Sequence, residues 1–209
     1  MFLHTLPADA RRLLKPLGQE PLLRLFYLAG GSAAALYLGH RVSVDLDFFT
    51  SQDHYEAEPL IQRLQTIGHL DIQHQGRGTL VGQLDGVRIS FFVYPYPLLA
   101  ELMDLEGLQM AHLLDIAMMK LVAISQRGTM RDFVDLYYIC QHGHELAKLL
   151  RKAPKKYKAV SYPSYHLLRA LTYFADAEDD ESPRMLVPYD WTQVKHFFKS
   201  QVKTLIQEL

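Results

Sequence analysis

The stretch FYLAGGSAAALYLGHRVSVDLDFFT, residues Phe26–Thr50, decides the fold that the sequence predicts. Its pattern predicts a strand, a Gly-Gly-Ser turn, a helix over Ala33–Leu38 and a second strand over Val44–Phe49. The second strand carries Asp45 and Asp47, and alternate side chains of a strand share one face. Two carboxylates beside a glycine turn that opens a helix suit a magnesium ion and a triphosphate.

The carboxylate pair also has a structural interpretation, in which Asp45 and Asp47 are hydrated residues on a solvent-exposed face at the end of a strand. The flanking residues are apolar and predict a strand that is covered on both faces: Val44, Leu46, Phe48 and Phe49. Bare carboxylates in such a strand would repel each other and lose hydration unless a positive group offsets them. We therefore expect a metal ion or a cationic partner at this pair.

The Gly-Gly-Ser turn supports an anion site next to the pair. Gly30 and Gly31 permit a positive φ and the close approach of a ligand. Ser32 stands where the N-cap of the following helix belongs, and free N–H groups at a helix start favour phosphate. Without the carboxylates, the same residues would describe an ordinary strand-to-helix turn capped by serine.

Length and composition limit the classes to which the protein can belong. A chain of 209 residues with a net charge of −1 has no global attraction to nucleic acid or anionic membranes. Cys140 is the single cysteine, which excludes an internal disulfide and fits a reducing cytoplasm. We find no run of about 20 apolar residues and no secretory signal, so we expect a cytoplasmic protein without a membrane partner.

The elements predicted along the chain indicate an α+β protein. Strands are predicted at 26–29, 44–49, 79–84 and 87–94, with a short extended piece at 107–110, and the Asp85-Gly86 dipeptide predicts a hairpin. Helices are predicted at 7–16, 33–38, 55–67, 112–126, 130–140, 144–152, 164–176 and 191–208. The shift in composition predicts a sheet-bearing part over 1–100 and a helical part over 101–209.

Lys120 is the charged residue that stands out in the apolar helix DIAMMKLVAI. A buried ammonium without a partner would lose its proton or cost several kcal/mol, on the order known for desolvated charges. Lys120 should therefore face an anion or reach water along its stem.

The segment RGTMRDFVDLYYI predicts a helix that begins near Thr129. Thr129 can cap it, with Asp132 three residues later. Arg131 and Asp135 are four residues apart and share a helix face, which permits a surface ion pair.

Two motifs in the chain resemble those of a known family. Gly-Gly-Ser followed by Asp-Leu-Asp resembles motif I of DNA polymerase β-like nucleotidyltransferases. The longer strings GHRVSVDLDFF and KLVAISQRGTMRDFVDLYYI resemble the AbiEii/AbiGii toxin family of type IV toxin–antitoxin systems. The resemblance implies a mixed sheet with helices, followed by a helical C-terminal part. It also implies Mg²⁺ or Mn²⁺, an NTP substrate and an antitoxin protein encoded nearby.

The resemblance assigns roles to individual residues. It implies Asp45 and Asp47 as metal ligands, Lys120 as a cation for the triphosphate, and Asp132 as the group that orients or deprotonates the acceptor. The nucleotide site that it implies consists of Gly30, Gly31, Ser32, Arg41, Lys120, Arg131 and Asp135. From the residues alone, His40 and Arg41 could instead pair with Asp45 or lie in water.

One position departs from the family pattern. Many polymerase β-like transferases carry a third carboxylate on the strand after the hairpin. In this chain that strand is VRISFFVYP, and the position of the carboxylate is taken by Ser90. Serine cannot act as a base or as a strong magnesium ligand. The absence has three interpretations: a single metal ion held by Asp45 and Asp47, completion of the site by Asp132, or binding without catalysis.

The candidate functions are nucleotidyl transfer to an RNA 3′ end or a protein hydroxyl, binding of nucleotide or a partner without turnover, and transfer to a small molecule. The basic run between Lys148 and Lys158 could contact RNA or form a solvated helix end.

Overall fold

A seven-stranded mixed sheet in the order β3-β4-β5-β2-β1-β7-β6 forms the framework of the protein. The structure is a computed structural model that describes residues 1–158 and 164–207. The strands are β1 Tyr27–Leu28, β2 Leu46–Thr50, β3 Leu70–Gly76, β4 Thr79–Leu84, β5 Val87–Val93, β6 Met103–Leu105 and β7 Leu108–Met110.

The centre of the sheet carries the predicted carboxylate strand. β2 runs parallel to β5 and antiparallel to β1, and its residue Asp47 is the register partner of Ser90. β2 begins at Leu46, so the prediction that Asp45 lies within the strand is wrong and Asp45 directly precedes it. One face of β2 is buried, whereas the face with Asp47 and Phe49 is only partly buried, which corrects the expectation of a strand covered on both sides.

The predicted hairpin is confirmed. β4 and β5 pair antiparallel through Asp85 and Gly86, which have φ angles of 48° and 81°. The extended piece near Gly107–Met110 is strand β7, which pairs with β1. Strands β3 and β6, the two edge strands of the sheet, were not predicted. β3 is exposed along almost its whole length, so it lacks the alternation of apolar residues that predicts a strand.

The helices cover the sheet and continue after it. Their bounds are α1 Ala8–Gln19, α2 Gly30–Leu38, α3 Ala57–Ile67, α4 Leu113–Gln126, α5 Met130–Gln141, α6 Leu146–Lys156, α7 Ser164–Ala170, α8 Ala175–Glu178 and α9 Trp191–Gln207. Short 3-10 turns occupy Leu3–Thr5 and Pro21–Leu25. The helix predicted over 164–176 is therefore two separate helices. The division of the chain at residue 100 stays a prediction.

Two aromatic clusters anchor the core. Phe48 of β2 stacks on Phe91 of β5 with ring centroids 5.2 Å apart. In the helical part, Phe133 of α5 packs its ring against Phe174 and Phe198 at 5.1 and 5.5 Å. Helix α2 packs against both α4 and α5, so the start of α2, the strand β2 and the two helices meet in one region.

A buried ion pair fastens the segment after β5 to the helices. Asp115 of α4 is fully buried and accepts hydrogen bonds from the backbone N–H groups of Leu99 and Ala100. The Nζ atom of Lys156 lies 2.6 Å from Asp115 and donates to the carbonyl of Pro97 at 2.7 Å. Lys156 is thus unavailable to RNA, although its neighbours in the basic run are exposed. Among the described residues, no helix is long and apolar enough to cross a membrane.

We expect Lys156→Met to lower the free energy of unfolding by about 3–5 kcal/mol, because it leaves the buried Asp115 carboxylate without its cation. The matched control is Lys155→Met, which changes an exposed neighbour and should stay within about 0.5 kcal/mol of the wild type. Urea unfolding of the three proteins measures both differences. Equal losses in the two variants would contradict the structural role of the pair.

Candidate functional site

Asp45 and Asp47 lie together at the start of β2, next to the first turn of α2. Both side chains are partly buried. The carboxylate of Asp47 approaches Gly30 so closely that a Cβ atom at Gly30 would lie 3.2 Å from its Oδ2 atom. Burial and, after it, the charge of Asp45 raise the pKa of Asp47, and the positive charges of Lys120 and Arg88 oppose this rise only in part. The pair is therefore a site of unbalanced negative charge.

Ser90, and not a third carboxylate, occupies the position beside Asp47 on β5. Its side chain is 2% exposed and hydrogen-bonds to Asp47. A serine hydroxyl there holds Asp47 in place without adding charge. Among residues 1–158 and 164–207, no group of three or more His, Cys, Asp or Glu side chains is placed to hold a metal ion. The protein ligands that the described chain offers a metal here are therefore two carboxylates.

The first turn of α2 differs from its prediction in two respects. The helix begins at Gly30, with Ala29 as its N-cap, so the assignment of Ser32 as the N-cap is wrong. Gly30 has a φ of +66°, as predicted, whereas the positive φ expected at Gly31 is wrong. A Cβ atom at Gly31 would lie 2.5 Å from the Nη2 atom of Arg41.

Ser32 connects this turn to the carboxylate pair. Its hydroxyl is buried and hydrogen-bonds to Ser43 at 2.9 Å and to the backbone carbonyl of Asp45. The hydroxyl therefore fixes the backbone at Asp45. The N–H groups of the first turn have the geometry to bind an anion, since a helix leaves its first four N–H groups without intrahelical partners.

Asp135 of α5 is the centre of a buried ion network. It is fully buried, and it receives both Nε and Nη2 of Arg41, at 2.7 and 2.8 Å, in a forked contact. Nε2 of His40 lies 2.8 Å from Asp135 and Nζ of Lys120 lies 2.6 Å away. Burial alone would raise the pKa of Asp135, but Arg41 and Lys120 outweigh it and hold this pKa well below its ordinary value.

These contacts decide among the alternatives that the sequence left open. Arg41 pairs with Asp135 and not with Asp45 or water. Arg131 is exposed while Asp135 is fully buried, so the two do not form the surface pair that their spacing permitted.

Lys120 has two carboxylate partners, and both come from α5. Its Nζ atom lies 2.9 Å from Asp132 and 2.6 Å from Asp135, and the residue is 5% exposed. Burial would lower the pKa of Lys120, but the two carboxylates raise it above its ordinary value. Lys120 therefore faces anions, as one of the two sequence interpretations expected, and these anions are carboxylates of α5.

Asp132 joins a further cation to this network. It is buried in the first turn of α5, where the hydroxyl of Thr129 donates to it at 2.8 Å. Thr129 is the N-cap residue, as predicted, but its side chain contacts Asp132 and not a backbone N–H. Nε of Arg127 lies 3.0 Å from Asp132. Arg127 was not among the predicted site residues. The available signal in the sequence was its position directly before the Gly-Thr turn.

The two groups have opposite charge. Without His40, the ion network consists of three cations and two carboxylates: Arg41, Lys120, Arg127, Asp132 and Asp135. Its net charge is therefore +1. The neighbouring pair, Asp45 and Asp47, is negative. The pair can hold a divalent cation, and the network can attract an anion beside it.

We expect Asp135→Asn to lower the free energy of unfolding by about 3–5 kcal/mol at pH 7, because Arg41 and Lys120 lose their shared counter-charge. Since the pKa of Asp135 is lowered on folding, its contribution is complete above the ordinary Asp pKa of about 4. The contribution is then lost as the pH falls toward the folded-state pKa. Urea unfolding at several pH values should show the difference between wild type and Asp135→Asn shrinking below about pH 4.

The control for this comparison is Asp71→Asn, which changes an exposed carboxylate of β3. It should follow the wild type at every pH. A difference between the wild type and Asp135→Asn that stays constant from pH 7 into acid would contradict the assigned role of the charge.

Comparison with solved structures places the fold. MenT4, a nucleotidyltransferase toxin from Mycobacterium tuberculosis H37Rv, superposes with a TM-score of 0.55 at 16% identity, covering 94% of this chain and 84% of that one. A Helicobacter pylori crystal structure, assigned provisionally as a nucleotidyltransferase, gives a TM-score of 0.53 at 17% identity and covers 96% of this chain and 92% of that one. These likenesses confirm the polymerase β-like nucleotidyltransferase fold.

Comparison of sequences shows the family. An uncharacterized protein of Aquifex aeolicus (strain VF5) is 35% identical over 206 residues, which cover 97% of this chain and 98% of that protein. Residues 12–204 match the family described as "Nucleotidyl transferase AbiEii toxin, Type IV TA system". Because this match spans nearly the whole chain, the protein belongs to the AbiEii nucleotidyltransferase toxin family of type IV toxin–antitoxin systems.

Proposed function

We propose that the protein transfers a nucleoside monophosphate from an NTP to an acceptor hydroxyl, and that this transfer is its toxic activity. The observation that carries the proposal is the negative pair Asp45 and Asp47 beside an ion network that the exposed Arg127 makes net positive. A metal ion and a triphosphate require these two charges side by side. The family and the fold support the reaction class.

The donor set fits a magnesium or manganese ion. Mg²⁺ is commonly held by one or two protein carboxylates together with substrate phosphates and water, and Asp45 and Asp47 supply those carboxylates. The raised pKa of Asp47 marks a carboxylate whose charge the protein leaves incompletely balanced. When bound, the ion would neutralise charge on the phosphate oxygens during transfer.

The protein's own groups would position the reactants. The N–H groups of the first turn of α2 would bind phosphate, and Ser32 would keep Asp45 at a fixed distance from that turn. An acceptor hydroxyl would attack the α-phosphate in line. The new O–P bond would form as the bond to the β-phosphate breaks, pyrophosphate would leave, and the hydroxyl proton would pass to water.

Lys120 and Asp132 take positioning roles in this proposal. Lys120 is held by two carboxylates, so it would contribute positive potential from within the network. Burial would raise the pKa of Asp132, but Lys120 and Arg127 lower it below its ordinary value. A carboxylate with a lowered pKa is a poor proton acceptor, so Asp132 would hold its cations in place and not deprotonate the acceptor. The exposed Arg131 remains a proposed nucleotide contact.

The acceptor and the partner follow from the family. We propose an RNA 3′ end or a protein hydroxyl as the acceptor, and an antitoxin as the protein that restrains the activity. A second candidate function is nucleotide or partner binding without turnover. Ser90 favours that candidate, because it leaves the pair without a third carboxylate.

We expect label from an α-phosphate-labelled NTP to reach an acceptor when the protein is incubated with Mg²⁺ and total cellular RNA or protein. Asp45→Ala should reduce this transfer by at least about 100-fold, the usual cost of removing a group that stabilises transition-state charge. The control Asp53→Ala changes an exposed carboxylate outside the site and should keep wild-type activity. Gel separation of the labelled products measures the transfer.

The alternatives predict other distributions of the label. Nucleotide binding without transfer to any acceptor would support the binding module. Label found only on a small hydroxylated compound, without toxicity on expression, would support a small-molecule transferase. Equal transfer by wild type and Asp45→Ala would refute the assigned site.

We expect Asp47→Asn to separate metal binding from folding. Without ligands, the variant should melt at or above the wild-type temperature, because it removes a partly buried charge that Asp45 repels. Mg²⁺ with an NTP at 100 times its Kd should raise the wild-type Tm by about 5–10 °C and leave Asp47→Asn unchanged. Thermal melts with and without ligand measure both effects, with Asp53→Asn as the control.

A ligand-induced shift of equal size in Asp47→Asn and the wild type would contradict the metal site. A large fall in Tm of the ligand-free variant would show instead that Asp47 is needed for folding.

A further inference from the structure

The cations of the site differ in their exposure to solvent and in how fully protein carboxylates pair with them. Arg41 and Lys120 are 4% and 5% exposed, and carboxylates of α5 occupy both of them. A phosphate could reach either side chain only by displacing a buried ion pair, which costs several kcal/mol on the order known for such pairs. The two cations that the sequence motifs single out are therefore poorly placed for direct contact with a substrate.

Arg127 is in the opposite situation. Its side chain is 66% exposed, although Nε and Nη2 rest on Asp132 at 3.0 and 3.4 Å. Asp132 does not depend on this contact, because it also accepts from Lys120 at 2.9 Å and from Thr129 at 2.8 Å. Arg127 is thus held at a fixed place on the rim of the network while most of its side chain faces solvent.

The local fold explains this placement. Arg127 is the C-cap residue of α4, and Gly128, with a φ of +53°, turns the chain so that α5 begins at Met130. This tight turn brings the arginine back over the first turn of α5. Burial would lower the pKa of Arg127, but the charge and the hydrogen bond of Asp132 and, after them, the charge of Asp47 raise it above its ordinary value. The guanidinium therefore lies on the solvent-facing side of the network, against Asp132.

We propose that Arg127 is the residue that contacts the phosphate oxygens of the incoming nucleotide, in the role that sequence motifs assign to Lys120. A guanidinium has five N–H donors in a planar fork that matches phosphate oxygens, so it can hold Asp132 and a phosphate together. Lys120 and Asp132 then act as the support that fixes Arg127. This inference rests on the proposed function, since it requires an NTP at the carboxylate pair.

The test compares Arg127→Gln, Arg127→Lys and the control Arg24→Gln, which removes an exposed arginine outside the site. Isothermal titration with Mg²⁺ and inorganic triphosphate, and then with each of the four NTPs, isolates the phosphate contribution. We expect Arg127→Gln to weaken both ligands by about tenfold or more, the effect of one charge-assisted hydrogen bond. Arg127→Lys should recover part of the loss, and Arg24→Gln should bind as the wild type does.

A thermal melt of each variant checks folding. Because Asp132 keeps Lys120 and Thr129, Arg127→Gln should remain folded at the temperature of the titration. Wild-type affinity of folded Arg127→Gln for triphosphate would overturn the inference, as would a defect confined to the KM of the acceptor. In both cases the proposed function would stand, whereas a wild-type protein that binds no NTP with Mg²⁺ would refute the proposed function itself.

Discussion

The buried contact between Arg41 and Asp135 is the constraint on which the site depends. It joins a loop that follows α2 to helix α5, across 94 positions of sequence. Lys120 of α4 meets the same carboxylate, so three separate segments share one anion. Buried pairs add little net stability compared with apolar packing, yet removal of one partner is costly. The network therefore fixes how the helices stand against the carboxylate strand more than it stabilises the fold.

Asp135 and Asp47 have opposite pKa shifts because the charges around their carboxylates differ. Asp135 is fully buried among cations, which keep its pKa well below the ordinary value. The pKa of Asp47 is raised, because burial and the charge of Asp45 outweigh the hydrogen bond of Ser90 and the positive charges of Lys120 and Arg88. The first carboxylate is satisfied by the protein, and the second still lacks a counter-charge. A group that folding leaves unbalanced is a candidate for ligand binding, whereas a balanced group is structural.

Local sequence predicted the elements that depend on local signals. The Asp85-Gly86 hairpin, the positive φ at Gly30 and the place of Asp47 on β2 followed from turn chemistry and strand alternation. The partners of Lys120 could not be predicted, because the choice of counter-ion depends on how α4 and α5 pack. The edge strand β3 was missed because its exposed residues show no periodicity. Arg127 was missed because its contact with Asp132 also depends on how α4 and α5 pack.

Helix α4 couples the position of the site to the packing of the other helices. It carries Asp115 near its start and Lys120 five residues later, and each finds a buried partner of opposite charge on a different helix. Asp115 binds Lys156 of α6 together with the segment after the sheet, while Lys120 binds α5. A shift of α4 along its axis would break both sets of contacts at once. Arg127 is the C-cap residue of the same helix, so these three buried ion pairs also fix the position of that exposed cation.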